Sequence, residues 1–347
     1  MTDDATETPS LPDALERVLH ETETLAAEAG ARDREALPYV LTPRSRPTRL
    51  LKCARADGPA LDRLLAEVGA VLLRGFEVDG PSDFEAFIEA TSGAPMEYRD
   101  RATPRSRVTR NIFTATDYPP DVSIFLHNES AFAARFPGRI FFYCRQPSGE
   151  GGETPIADVH RVWNELPPAL RDRFAERRVL YARSFGRGFG LAWQSVFQTD
   201  DRDEMEAYCR DAEIEVEWIG EDRLRARQVR PAVASHPGSG VSLWFNHVAT
   251  LHVSTLAPAK RKMLAKLFKE GDLPNNVYYG DGSAIDDADV ETIRAAYLRC
   301  TRTFPWQAGD VLAVDNLRVA HGRRPFRGRR EVLVGMARPL GWNDVAR

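Results

Sequence analysis

The sequence predicts a mixed α/β protein whose centre is a jelly-roll barrel of short strands with helices packed outside it. Three observations carry this. Runs rich in β-branched and aromatic residues recur through the middle of the chain and return at its end, so one closed β core fits better than two separate domains. Gly/Pro/Asp turns divide them, among them Gly149-Glu150-Gly151-Gly152, Pro237-Gly238 and Ala308-Gly309-Asp310. Helical segments interrupt the strands one at a time, with no internal repeat or low-complexity tract.

Taken in order, residues 1–35 are rich in Asp, Glu, Thr and Ala and read as an acidic tail or helix, Leu15 to Ala27 being the amphipathic stretch. Residues 36–347 read as one domain. From Ala60, Leu61, Leu64, Leu65 and Val68 recur at helical spacing, Gly69 supplies a stop, and Ala70 to Leu73 forms an apolar strand. Pro81-Ser82 opens a second helix with Phe84, Phe87 and Ile88 on one face. The expected strands are Val122 to Leu126, Arg139 to Cys144, Thr154 to Ala157, Glu215 to Trp218, Val229 to Ser235, Val241 to Asn246, Thr301 to Pro305, Val311 to Val314 and Glu331 to Ala337. Helices are expected at Pro167 to Glu176, Asp203 to Asp211, Pro258 to Lys269 and Asp289 to Arg299.

Composition narrows the function before any motif does. Of 347 residues, 43% are hydrophobic and 28% charged, which excludes wholesale disorder. A formal net charge of −4 argues against a nucleic-acid partner, because phosphate neutralisation needs a cationic surface. No apolar run is long enough to cross a bilayer, so no membrane partner is expected, and the first 28 residues are acidic where a signal peptide would be basic and then apolar. Cys53, Cys144, Cys209 and Cys300 are far apart, with no Cys-x-x-Cys pair, which points to a reduced, cytoplasmic protein.

The sharpest local signal is Ile124-Phe125-Leu126-His127-Asn128-Glu129. On a strand, residues two apart share a face, so His127 and Glu129 would project an imidazole and a carboxylate together into the barrel. By itself this pattern also fits a hydrogen-bonded histidine at a strand end. A third candidate ligand is His321, 194 residues downstream and just past the apolar run Val311 to Val314. Two histidines and a carboxylate on one face of a metal leave three positions open, as in non-haem Fe(II) oxygenases. Arg323, Arg324, Arg327, Arg329 and Arg330 follow, and an inward arginine at a strand start can grip a dicarboxylate with both arms.

These residues carry a resemblance. The words Leu126-His127-Asn128-Glu129-Ser130, Gly151-Gly152-Glu153-Thr154-Pro155-Ile156-Ala157-Asp158, Leu243-Trp244-Phe245-Asn246, Tyr279-Gly280-Asp281-Gly282, Phe304-Pro305-Trp306-Gln307-Ala308-Gly309-Asp310 and His321-Gly322-Arg323-Arg324-Pro325-Phe326 occur in the family's order, from about residue 60 to 338. The chain resembles the TauD/TfdA family of Fe(II)- and 2-oxoglutarate-dependent oxygenases, nearest the branch that holds the syringomycin-pathway aspartyl hydroxylase. The resemblance implies a double-stranded β-helix core, Fe(II), 2-oxoglutarate and O2, with His127, Glu129 and His321 as iron ligands. It implies Thr154 as the 2-oxoglutarate-binding threonine and an arginine beyond His321 for the distal carboxylate.

Strand parity selects Arg330, which would share a face with Val332, Val334 and Met336; Arg329 would share the other, solvent-side face with Glu331 and Leu333. The nine-residue gap from His321 is shorter than in the best-known members, which keeps Arg329 as the alternative. Glu129 stands where most members have Asp, and an acidic ligand argues against halogenation. Where taurine dioxygenase grips its sulfonate with an arginine, this chain has Val334, so a sulfonate is disfavoured.

For the substrate, Asn246 either orients a polar group or serves a turn. Phe132 and Arg135 line the pocket on one reading, Arg135 meeting a carboxylate; on the other, Arg135 is a solvated surface charge. His247 and His252 read as satisfied loop histidines in preference to a second metal pair, and His20, His160 and His236 lack ligand-like spacing. The expected reaction is hydroxylation of an unactivated C–H bond in a small amino acid, free or tethered to an acyl or peptidyl carrier protein, in specialised metabolite biosynthesis, with release of succinate and CO2. Desaturation or cyclisation by the same chemistry is the nearer alternative. A non-redox metal-binding barrel, such as an isomerase or binding protein, is the farther one.

Overall fold

The computed structural model describes the backbone of residues 22–24 and residues 37–43, 47–96, 105–186, 190–221 and 223–345. The expected N-terminal tail or helix lies largely outside the described residues, and its described part, Thr22–Thr24, is a short strand. That strand edges a seven-stranded sheet, followed across by Tyr39–Pro43, Ala70–Leu73, Val311–Asp315, Arg135–Gln146, Glu331–Gly341 and Phe113–Thr114. Tyr39–Pro43 and Ala70–Leu73 run parallel; the other neighbours are antiparallel. A four-stranded sheet orders Thr301–Arg302, Ile156–Asp158, Val319–Arg323 and Ile124–His127.

Alternation along the long strands explains how these sheets pack. Ile140, Phe142, Val332 and Val334 of the larger sheet join Ile156 and Val319 of the smaller one in a single buried cluster, so the two sheets face each other. The intervening Phe141, Tyr143 and Leu333 point the other way, onto the helices Leu50–Val68 and Gly80–Ser92 through Leu61, Leu65, Phe84 and Phe87. Burying each of those two phenylalanines contributes about 2–3 kcal/mol. A third cluster covers the outside of the smaller sheet, where Leu126, Ala157 and Ala320 meet the helices Val159–Glu165, Pro168–Arg177 and Asp287–Cys300. Helix cover on both outer surfaces is why the central strands read as continuous apolar runs.

Several expectations change at their edges. The first helix begins at Leu50, ahead of Gly58-Pro59, because the chain kinks at Asp57 and the Asp57 carboxylate accepts from the Ala60 N–H at 3.1 Å. Gly69 does stop it, at φ 82° with its N–H on the Leu65 carbonyl. The strand expected over Val229 to Ser235 is two, Arg223–Arg230 and Val233–Ser235, divided by Pro231, which has no N–H to donate. Strands Val179–Phe185, Asn275–Tyr279 and Val319–Arg323 were not expected; the first two build an outer sheet with Glu215–Ile219 and Arg223–Arg230.

Candidate metal centre

The strands Ile124–His127 and Val319–Arg323 are neighbours, and their register sets His321 directly opposite His127. Their ring centroids are 4.6 Å apart. Beyond His321 the ladder shifts, and Gly322 makes the shift feasible, since a Cβ there would stand 2.6 Å from the Ile124 carbonyl oxygen. Glu129 lies past the strand end, in a turn that continues through Ser130 at φ 56°. The carboxylate therefore reaches His127 through that turn, which corrects the simple strand-alternation argument. One ligand atom from each of His127, Glu129 and His321 falls within 4.8 Å of the others, the one such group of three or more among the described residues.

The donor set fits a divalent metal on three counts. His127 Nδ1 is 2.9 Å from the Phe125 carbonyl oxygen, a bond that needs the proton on Nδ1 and leaves the Nε2 lone pair for a cation. His321 Nδ1 is buried without a hydrogen-bond partner, and its Nε2 is 3.8 Å from Glu129 Oε2, too far to be satisfied by it. Burial lowers the His127 pKa and holds His321 well below the ordinary imidazole value despite Glu129, so both rings are neutral, as ligation requires.

The turn carrying Glu129 is held by residues that the sequence did not single out. The Asn316 side chain clamps Glu129 at two points, accepting from its backbone N–H at 2.7 Å and donating to its carbonyl at 3.0 Å, with a further bond to the Pro137 carbonyl at 2.8 Å. Asn128 returns a bond to the Asn316 carbonyl at 2.6 Å. His247 Nε2 donates to the Asn128 carbonyl at 2.7 Å; burial, then the neighbouring His127, push its pKa down to about 4. His252 bonds Ser254 instead, so these two histidines form no metal pair. Arg105 donates from Nη2 to Glu129 Oε2 at 2.7 Å, another contact without a sequence signal.

Beside the metal group, main-chain bonds from Gly322 to Pro155 and from Arg324 to Glu153 lay the 153–155 segment along the residues after His321. Thr154 is buried there, its hydroxyl oxygen accepting from Trp306 Nε1 at 3.1 Å. Arg330 turns inward over Gly152, donating to its carbonyl at 2.9 Å; a Cβ on Gly152 would stand 3.0 Å from the Arg330 side chain. Burial, then Arg323, push Arg330 down to about 10, the mark of a desolvated cation. Arg329 faces solvent, its side chain 83% exposed beside Glu331. Arg330 thus turns inward and Arg329 outward as expected, although Leu333 shows the other face of the strand to be covered by helices.

The substrate candidates fare differently. Both ends of the Asn246 amide are used locally, donating to Ala232 and accepting from the Val248 N–H, which is the turn role. Phe132 packs behind the site against His247 and Tyr181. Arg135 is exposed at the start of its strand. Arg323 is buried and spends its guanidinium on the carbonyls of Tyr118, Pro119 and Val122.

The family described as "Taurine catabolism dioxygenase TauD, TfdA family" matches residues 41–337. The dapdiamide synthesis protein DdaC of Enterobacter agglomerans is 38% identical over 281 residues, 81% of this chain and 85% of that protein. A clavaminate synthase-like protein of Arabidopsis thaliana is 33% identical over 290 residues, 80% of this chain and 84% of the relative. Among solved structures, PvcB of Pseudomonas aeruginosa superposes with a TM-score of 0.51 at 15% identity, covering 86% of this chain and 84% of its own. A taurine dioxygenase from Burkholderia xenovorans gives 0.51 at 14% identity and 88% coverage of each chain. The chain belongs to the TauD, TfdA dioxygenase family and is an Fe(II)- and 2-oxoglutarate-dependent dioxygenase, consuming O2.

Proposed function

We propose that this dioxygenase hydroxylates an unactivated C–H bond of a small amino acid, free or carrier-tethered, in the biosynthesis of a specialised metabolite. The observation that carries the reading is the meeting of His127, Glu129 and His321 within 4.8 Å. In this reading they hold Fe(II), and residues 36–347 form one catalytic domain on a double-stranded β-helix core, working in a reducing cytoplasm. When bound, iron with 2-oxoglutarate and O2 supplies the oxidising power that removes a hydrogen atom from carbon and leaves succinate and CO2.

The chain's own work is positioning. Phe125 fixes the His127 tautomer, and Asn316 fixes the turn that presents Glu129. Trp306 orients the Thr154 hydroxyl by donating to its oxygen, leaving the hydroxyl proton for a co-substrate oxygen. Arg330, a desolvated cation at a strand start, takes the distal carboxylate. Ile140, Phe142, Val332 and Val334 line the interior with apolar surface and keep water from the reacting atoms.

Two relatives named for synthesis support a biosynthetic role over a catabolic one. Exposed Arg324, Arg327 and Arg329 offer an acidic carrier protein a rim to dock on. The test is anaerobic addition of Fe(II) and 2-oxoglutarate, which should raise a visible charge-transfer band; its absence would overturn the oxygenase reading. Succinate release across a panel of free and carrier-bound amino acids then identifies the substrate, and equal turnover of free and tethered forms would remove the carrier.

A further inference from the structure

Residues 117–123 form an exposed strap that runs without a break into the strand Ile124–His127. Its far end is tied down by the Asp117 carboxylate, which accepts from the hydroxyls of Ser106 and Thr114. Between the two ends, the strap rests on Arg323 and Phe326. Arg323 Nη1 donates to the Tyr118 carbonyl at 3.0 Å, and Nη2 donates to the carbonyls of Pro119 and Val122, the latter at 2.7 Å. The Pro120 carbonyl takes the Phe326 N–H at 2.9 Å. An exposed segment opens locally at low cost, which gives these four bonds their weight.

The same arginine reaches the co-substrate residues. The Cζ atoms of Arg323 and Arg330 lie 5.2 and 5.6 Å from the centroid of the Phe326 ring, so two guanidiniums share one aromatic side chain. The charge of Arg323 is felt at Arg330, and Asp121 on the strap attracts Arg323. We infer that Arg323 is a positioning residue: an anion held by Arg330 draws it into its seat against Phe326 and so fastens the strap ahead of His127. The inference rests on the reading that Arg330 takes the distal carboxylate of 2-oxoglutarate, and deepens it by tying co-substrate loading to the order of a neighbouring segment.

Charge and geometry act together here. A carboxylate at Arg330 attracts Arg323 only while that side chain lies beside the shared ring. Swung out with the strap released, Arg323 gives up this attraction along with its three carbonyl bonds. The ligand therefore favours the fastened arrangement, and by reciprocity the fastened strap favours the ligand. Asp121 belongs to the strap and draws Arg323 to it with or without co-substrate, so it sets the baseline and leaves the difference to the ligand.

The experiment follows hydrogen–deuterium exchange of residues 115–125 in the anaerobic Fe(II) enzyme alone, with 2-oxoglutarate, and with 2-oxobutyrate. The second ligand keeps the 2-oxo acid that chelates iron but lacks the distal carboxylate, and the charge-transfer band reports that each is bound. In wild type, 2-oxoglutarate should slow exchange of the strap about fivefold, and 2-oxobutyrate should leave it within about twofold of the unliganded rate. Arg323→Gln should abolish the response and weaken 2-oxoglutarate binding about fivefold. Arg323→Lys, which keeps the charge without the three-carbonyl grip, should hold affinity within about twofold yet lose most of the response.

Equal exchange with and without 2-oxoglutarate in wild type overturns the inference, and so does equal protection by 2-oxobutyrate, which would route the effect through the metal. A response that survives Arg323→Gln overturns it too, as does a strap loosened by Arg323→Gln with unchanged 2-oxoglutarate affinity, which would make the arginine merely structural. The wild-type arms need no substitution, so they decide even where a variant fails to fold. A missing band in wild type, or unaltered 2-oxoglutarate affinity in Arg330→Lys, defeats the reading underneath. A normal band that depends on Arg330, beside an unresponsive strap, defeats this inference alone.

Discussion

Two buried polar clusters flank residues 315–321 and draw on the same residue types, yet they are finished differently. In one, Arg139 bridges Asp62 at 3.0 Å and Asp315 at 2.7 Å, and Asp62 also takes Ser92 at 3.0 Å and Arg338 at 2.7 Å. Asp315 further accepts from the Leu317 N–H and from His236 Nε2, whose Nδ1 in turn accepts from the Gly238 N–H. In the other, His127, Glu129 and His321 converge while a buried imidazole nitrogen has nothing to bond. A histidine whose two nitrogens are both spoken for is part of the scaffold. One left wanting in a buried site marks the place where something else binds.

Breaking the unfinished cluster should cost function and little stability. His321→Ala is expected to lower metal affinity and turnover by on the order of 10³-fold or more, beyond the 10–100-fold typical of a residue that only supports a ligand. The midpoint of urea unfolding for the metal-free protein should barely move; a large shift would make His321 structural. Breaking the finished cluster should do the reverse. Arg139→Met removes the buried cation that Asp62 and Asp315 share, leaving Asp62 with Arg338 and Asp315 with His236, and a loss of about 3 kcal/mol is expected in denaturant unfolding.

A finer contrast lies within the metal centre's own surroundings. Arg330→Lys should raise the 2-oxoglutarate concentration for half-saturation about tenfold, because an ammonium cannot reproduce a two-armed grip. Arg329→Lys should leave it unchanged, and the opposite pattern would reverse the assignment. The smallest effect is on pH. Burial opposes the charged form of Asp315, but Arg139 and His236 outweigh it and hold the carboxyl below its ordinary 3.8. At pH values between the folded and unfolded pKa the unfolded chain binds more protons, so this stability is complete above 3.8 and is lost as pH falls further. Asp315→Asn should flatten the acid limb of the unfolding midpoint against pH; an unchanged slope would show that the linkage resides elsewhere.

The parts of this arrangement that could be read beforehand were those set by local chemistry. Gly69, the Ala70–Leu73 strand and the helix face of Phe84, Phe87 and Ile88 follow from periodicity and end signals alone. The convergence of His127, Glu129 and His321 was legible because their words resemble a family, and the inward turn of Arg330 was anticipated although that residue precedes the strand, whose register shifts at Glu331/Val332. Trp306 sat inside a word already noticed and Asn316 beside the Val311 to Val314 run, but only geometry reveals what an indole N–H or an amide bonds. Arg105 gave no signal, since its partner is 24 positions away across a turn. Asn246 shows the converse: an amide at a strand end looks available until its neighbouring backbone claims both ends.

The direct opposition of His127 and His321 on adjacent strands has one more consequence. Because a single rung of hydrogen-bonded ladder fixes the spacing of the two imidazoles, the outer sheet and the helices inserted between them, away from Glu129, Thr154, Trp306 and Asn316, can lengthen, shorten or be exchanged without moving the two rings apart. A lineage built on this plan can redesign what it oxidises by editing those insertions while the chemistry it inherits stays untouched.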